Sequence, residues 1–150
     1  MLTKNKIQKF APPQLGQLLM QAQQWVTMSL LNLMAERGHQ KLTAAHLMFL
    51  NNLDCGLTHA SEVARRMGVT RQAVFRSTRE LQKLGVLMLE TDAIRKTQKI
   101  IRMTDQGQKA ILDARACLAK IEKALGKRLG KKDLESLSSI LSRDWENPLA

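Results

Sequence analysis

The chain has 150 residues, with 24 Lys and Arg against 13 Asp and Glu, a net charge of +11 and a pI near 10.2. That length suits a single domain, residues 1–150, with a core of its own. The positive excess selects a polyanionic partner, nucleic acid first, because each Lys or Arg set against a phosphate releases a condensed counterion.

Several classes drop out on residue content. Residues 15–34 are apolar but broken by Gln17, Gln21, Gln23, Gln24 and Asn32, too polar for a membrane span. The start of the chain lacks the layout of a signal peptide, so a cytoplasmic protein is expected. A membrane surface would attract the same charge, yet the basic residues alternate with packing positions and oppose no broad apolar face. Cys55 and Cys117 lie far apart without metal-ligand spacing and read as small hydrophobes, with neither zinc site nor disulfide. With no glycine-rich phosphate loop, no nucleophile beside a base and no acidic or metal-binding cluster, no enzyme, metal or cofactor is expected.

In chain order, Pro12 and Pro13 close a short basic arm and open a long helix to about Glu36, where proline is tolerated in the first turn. Leu15, Leu18, Leu19, Ala22, Trp25, Val26, Leu30 and Leu33 recur at helical spacing. A second row, Met20, Met28, Leu31 and Met34, widens the apolar surface until one neighbour cannot cover it. Gly38 ends this helix, and Thr43 caps a second, residues 44–53. A third short helix enters at Thr58 or His59, with Glu62 in capping-box position after the histidine, and ends at Met67.

The next stretch carries the chemistry. Ala64, Gly68 and Val74 have the spacing at which two helices cross over a tight turn. From Thr70 the residues divide by face: Val74, Thr78, Leu81 and Gly85 on one side, Gln72, Arg76, Arg79 and Lys83 on the other. Such a helix can lie in the DNA major groove, where Gln reads adenine and Arg reads guanine through paired hydrogen bonds. Gly85 is a left-handed stop, after which residues 86–90 and 99–103 read as a β-hairpin. Its tip, residues 91–98, places Asp92, Arg95 and Lys96 in the open, within reach of a flanking minor groove. Between Thr58 and Thr104 ten Lys or Arg stand against four Asp or Glu, a local charge of +6. A fifth helix from Thr104 carries Ile111, Ala114, Leu118, Ile121 and Leu125 and is broken by Gly126 and Gly130. A last helix holds Leu134, Leu137, Ile140, Leu141 and Trp145.

The fold class is therefore mainly α with a small β-hairpin wing, a winged helix-turn-helix over residues 43–104. Helical arms over 12–36 and 105–146 flank it and are expected to form the dimerisation region, because their apolar faces need a partner. A twofold homodimer would set two recognition helices about one DNA turn apart on a palindromic site. Within this reading Gln72, Arg76 and Arg79 read bases, and Arg65, Arg66, Thr70, Arg71, Lys83, Arg95 and Lys96 hold phosphates or the minor groove. Arg65 and Arg66 read equally as an ordinary solvated face, and the eight methionines as an adaptable pocket or as core filler. An alternative is a winged-helix module binding RNA or a protein partner without effector control. The absence of tyrosine and the scarcity of other aromatics weigh against RNA.

The order of parts resembles the MarR family of bacterial regulators: Leu42-Thr43-Ala44-Ala45-His46, the helix-turn-helix, Leu84-Gly85-Val86-Leu87, the wing, Met103-Thr104-Asp105-Gln106-Gly107 and Lys132-Asp133-Leu134. The resemblance spans residues 15–145. It implies a homodimeric repressor of transcription that leaves DNA when a small aromatic or phenolic effector binds between the reader and the dimer helices. On it, Trp25, Arg37 and His46 fall where that pocket would be lined, although Trp25 within a leucine stripe reads equally as core. Three features depart from the family pattern. Arg95-Lys96-Thr97 stands in place of an Asp-x-Arg pair, so the carboxylate that would brace the wing arginine is missing. Phe75 occupies a position where a small hydroxyl residue is common and Ser77 one where an aliphatic is common, leaving Phe75 to face a thymine methyl or to pack inward. With no tyrosine and no cysteine before Cys55, peroxide sensing is not implied.

Overall fold

The computed structural model describes residues 12–54, 59–146 and 149. Cys55, Thr58 and the basic arm before Pro12 lie outside them. The elements run α1 (Leu15–Glu36), α2 (Ala44–Asp54), α3 (Ala60–Met67), α4 (Arg71–Lys83), β1 (Leu87–Thr91), β2 (Lys99–Met103), α5 (Asp105–Leu129) and α6 (Lys131–Leu141). The class expected from the sequence is what is found, mostly helix with one antiparallel hairpin.

Polar side chains set the helix starts. Thr43 Oγ1 accepts the N–H of His46 at 3.2 Å, Thr70 Oγ1 that of Ala73 at 3.1 Å, and Thr104 Oγ1 that of Gly107 at 3.0 Å. Each satisfies a first-turn donor that has no partner inside its helix. The third helix enters at His59, one of the two starts expected, with Ala60 its first residue, but the N-cap makes no side-chain cap bond. Helix α1 starts at Leu15, so the prolines precede its first turn. Gly68 and Gly85 adopt φ of 63° and 72°, the left-handed conformation that stops α3 and α4 and turns the chain sharply.

Gly126 does not break α5, which continues to Leu129; a Cβ there would sit 3.4 Å from Leu134 Cδ2, so the glycine lets α6 fold closely against α5. Trp145 lies past the end of α6, its indole N–H donating to the Leu141 carbonyl at 3.3 Å.

Helices α2, α3 and α4 pack on one another, with the hairpin against α3, α4 and the start of α5, while α1 lies along α5. Phe49, Met34, Leu81, Val63, Val74 and Cys117 are fully enclosed, and each large apolar side chain so buried contributes roughly 1.5–3 kcal/mol. Cys117 is thus the small hydrophobe expected. The methionines divide: Met34 is sealed in the core, whereas Met20, Met28, Met48 and Met88 are exposed. In the hairpin Leu87 pairs with Met103 and Leu89 with Ile101, and burial along β1 alternates with a period of two.

The long arms leave much apolar surface uncovered. Leu15, Leu18, Met20 and Met28 on α1, Leu112 and Leu129 on α5, and Leu137, Ile140 and Leu141 on α6 are exposed.

Candidate nucleic-acid interface

Helix α4 is held from beneath. Val74, Thr78 and Leu81 are buried, and the Thr78 hydroxyl donates to the Val74 carbonyl at 2.8 Å, so the one polar group on the inward face is satisfied. Every residue assigned to the outward face, Gln72, Arg76, Arg79 and Lys83, is exposed, as are Arg65 and Arg66 at the end of α3 and Thr70 and Arg71 at the start of α4. The Thr70 oxygen is spent as the cap of α4, which leaves its O–H as a donor. Phe75 faces outward: its side chain is 51% exposed and the Arg79 guanidinium carbon stands 4.6 Å from the ring centroid.

A buried histidine fixes the height of this helix. His46 Nδ1 accepts the N–H of Thr43 at 3.3 Å, so the proton sits on Nε2, which donates to Glu80 Oε2 at 2.8 Å. The carboxylate of α4 is thereby drawn back toward α2, away from the row of guanidinium groups.

The turn of the wing is braced by Asp92, which the sequence placed in the open. Asp92 is 7% exposed and not at the tip at all. Its Oδ1 accepts the N–H of Ile94 at 2.8 Å and of Arg95 at 3.1 Å, and its Oδ2 lies 3.1 Å from Nε2 of His59, the N-cap of α3. One carboxylate therefore closes the turn and ties the hairpin to the helix-turn-helix. Asp92, three residues before Arg95, braces the backbone of the turn and not the Arg95 side chain. Arg95 and Lys96 extend into solvent beyond it.

Those two backbone donors, Arg95 first and then Ile94, with His59 after them, hold the Asp92 carboxyl at about 2, below its ordinary 3.8. A carboxylate with a depressed value adds stability at pH above about 4 and surrenders it as the pH falls toward 2. In urea titrations, Asp92→Asn should therefore unfold earlier than the parent at pH 6, with the gap between midpoints closing as the solution is acidified from pH 4. A gap independent of pH would count against this role.

Trp25, Arg37 and His46 are not brought together. Trp25 lies under Arg128, 5.3 Å from the guanidinium carbon to the ring. Arg37 and His39 both engage Asp113 at 2.8 Å, and these bonds, His39 first, hold the Asp113 carboxyl below the usual carboxylate range. His46 is committed to Glu80. None of the three lines the cleft of about 380 Å³ that opens where α1, α2 and α5 diverge. Its walls are Val26, Leu30, Leu47, Met48, Ile111 and Leu118, with Gln23, Thr27, Asn51 and Arg115 as polar groups. The resemblance pointed to Trp25, Arg37 and His46, whereas Ala44, Ala45, Ala110 and Ala114 make the room in the cleft. Small residues on two helices, α2 and α5, were the available signal.

Two helices crossing over a glycine turn, the second presenting hydrogen-bond donors, followed by a braced β-hairpin, define a winged helix-turn-helix. In fold it is similar to solved structures of MarR-type regulators. Wild-type MarR from E. coli in its apo form superposes with a TM-score of 0.72 at 18% identity, covering 88% of this chain and 96% of that one. The transcriptional repressor CouR bound to a 23-mer DNA duplex superposes with 0.72 at 25% identity over 86% and 90% of the two chains, and CouR bound to p-coumaroyl-CoA with 0.67 at 26% over 86% and 89%. A probable transcriptional regulator from Pseudomonas aeruginosa gives 0.69 at 20% identity over 87% and 96%. No protein-family model and no curated protein matches the sequence. Among the described residues, no helix is long and apolar enough to cross a membrane.

Proposed function

We propose that this chain is a sequence-specific, double-stranded-DNA-binding transcriptional regulator, a homodimeric repressor of a palindromic operator that a small molecule releases. The observation that carries the reading is the single outward face of α4: Gln72, Arg76 and Arg79 are exposed together while Val74, Thr78 and Leu81 anchor the helix from below. Gln72, Arg76 and Arg79 read base edges. Arg65, Arg66, Thr70, Arg71 and Lys83 hold the backbone on either side, and Arg95 and Lys96 on the braced wing enter the adjoining minor groove.

The arms, residues 12–36 and 105–146, supply the dimer contact in this reading. The exposed leucines of α1 and α6 offer an apolar area of the kind that a second copy covers. The cleft between α1, α2 and α5 has the size of a small-molecule site, mostly apolar with one guanidinium, two amides and a hydroxyl, suited to an aromatic body with an anionic end. That one neighbour of this fold has been solved with DNA and again with p-coumaroyl-CoA supports the pairing of the two ligands.

The test is recovery of bound fragments from random duplex DNA by the full chain, with single-stranded RNA as competitor. The expected product is a palindrome whose half-sites lie about 10–10.5 base pairs apart, the separation that a twofold pair of recognition helices dictates. Preferential retention of the RNA, or duplexes without symmetry, would overturn the proposal.

A further inference from the structure

We propose that Phe75 and Arg79 form one composite reader, in which Arg79 takes a guanine and the Phe75 ring covers the thymine methyl of the adjoining base pair. This inference rests on the DNA-binding reading above and assigns a specificity that the reading leaves open.

Phe75 is out of place for a core residue. The inward side of α4 is already filled by Val74, Thr78 and Leu81. Phe75 instead sits at 51% exposure among Arg71, Gln72, Arg76 and Arg79, its helical neighbours at i−4, i−3, i+1 and i+4. The ring stands on the flank of the donor face, at the cleft it shares with Leu89 and Ile101 of the wing, and its exposed part costs hydration until something apolar covers it.

The Arg79 contact supplies the geometry. With its guanidinium carbon 4.6 Å from the ring centroid, the cation is attracted to the π face. Guanidinium N–H groups point outward in the plane of the group, so stacking leaves the fork unspent. An arginine paired with O6 and N7 of guanine lies close to the plane of that base. A ring stacked on it then stands at the level of the next base pair, which is about 3.4 Å away in B-form DNA. At that level a methyl group on C5 distinguishes thymine from cytosine in the major groove. The pair therefore recognises a dinucleotide step.

Uracil tests this directly, since it keeps the base pair and the O4 acceptor and lacks the methyl. The probe is a duplex recovered from the random library, with single thymines next to guanines replaced one at a time. At one such position the parent chain should bind the uracil duplex about fourfold more weakly, the ratio expected for one methyl-sized group left in water. Phe75→Ala should bind both duplexes equally, with unchanged helical circular dichroism because the side chain is exposed. Arg79→Lys, which has no plane to stack, should lose the methyl ratio, while its ammonium still donates to guanine O6 and N7. A Phe75→Ala chain that retained the parent ratio would overturn the assignment, and a ratio intact in Arg79→Lys would show two independent contacts instead of one reader. Absence of salt-dependent binding to any duplex would remove the underlying reading along with it.

Discussion

Replacing Gly107 by alanine is expected to destabilise the chain by about 3 kcal/mol, the upper end of the usual cost of overpacking. The site lies in the first turn of α5, where the helix passes directly over the entry to the hairpin. A Cβ at Gly107 would collide with the backbone carbonyl oxygen of Val86 and would stand 2.7 Å from Met103 Cγ. Met103 could turn aside, but the carbonyl cannot, because it also accepts the N–H of Thr104 at 3.1 Å and the Thr104 hydroxyl at 2.9 Å. The helix would have to lift, losing the cap and the joint between α5 and β2 together. Thermal unfolding followed by circular dichroism should show a midpoint roughly 6–12 °C lower, given about 2–4 °C per kcal/mol at this chain length. An unchanged midpoint would mean that α5 does not approach the strand so closely.

The second large effect concerns affinity. Arg76→Ala should cost roughly 1–3 kcal/mol on the selected duplex and relax the preference at one base position, whereas Lys83→Ala should weaken all sequences alike and lower the salt slope by about one. The difference follows from position. Arg76 is exposed at mid-helix on the donor face, while Lys83 is in the last turn, beside the 38–42 loop and away from the groove-facing centre. Titrations of both variants against specific and random duplexes across a salt series decide the matter, and identical behaviour would refute this division of labour.

The reader was legible in the chain because its determinants are local. Thr70, Gly85 and the alternation of Val74, Thr78 and Leu81 with Gln72, Arg76 and Arg79 act over one or two helical turns, and α4 follows them closely. Contacts between distant segments were not legible. Asp92 read as a tip residue because its partner His59 lies 33 positions earlier, and His46 read as a pocket residue because Glu80 lies 34 positions later. Gly126 read as a breaker because only the return of α6 shows why a side chain is missing there. The cleft escaped for a related reason: four alanines mark it by what they lack. Phe75 is the middle case, since its i, i+4 spacing to Arg79 is visible in the chain but its outward direction requires the packed inner face.

Helix α2 serves two masters. One flank, through Ala44, Leu47 and Met48, walls the cleft, and the opposite flank, through His46, grips Glu80 of the recognition helix. In a close-packed interior such an element moves as a unit. Under the proposed function, α2 would be the element that carries a change at the cleft to α4, since it lines the one and holds the other.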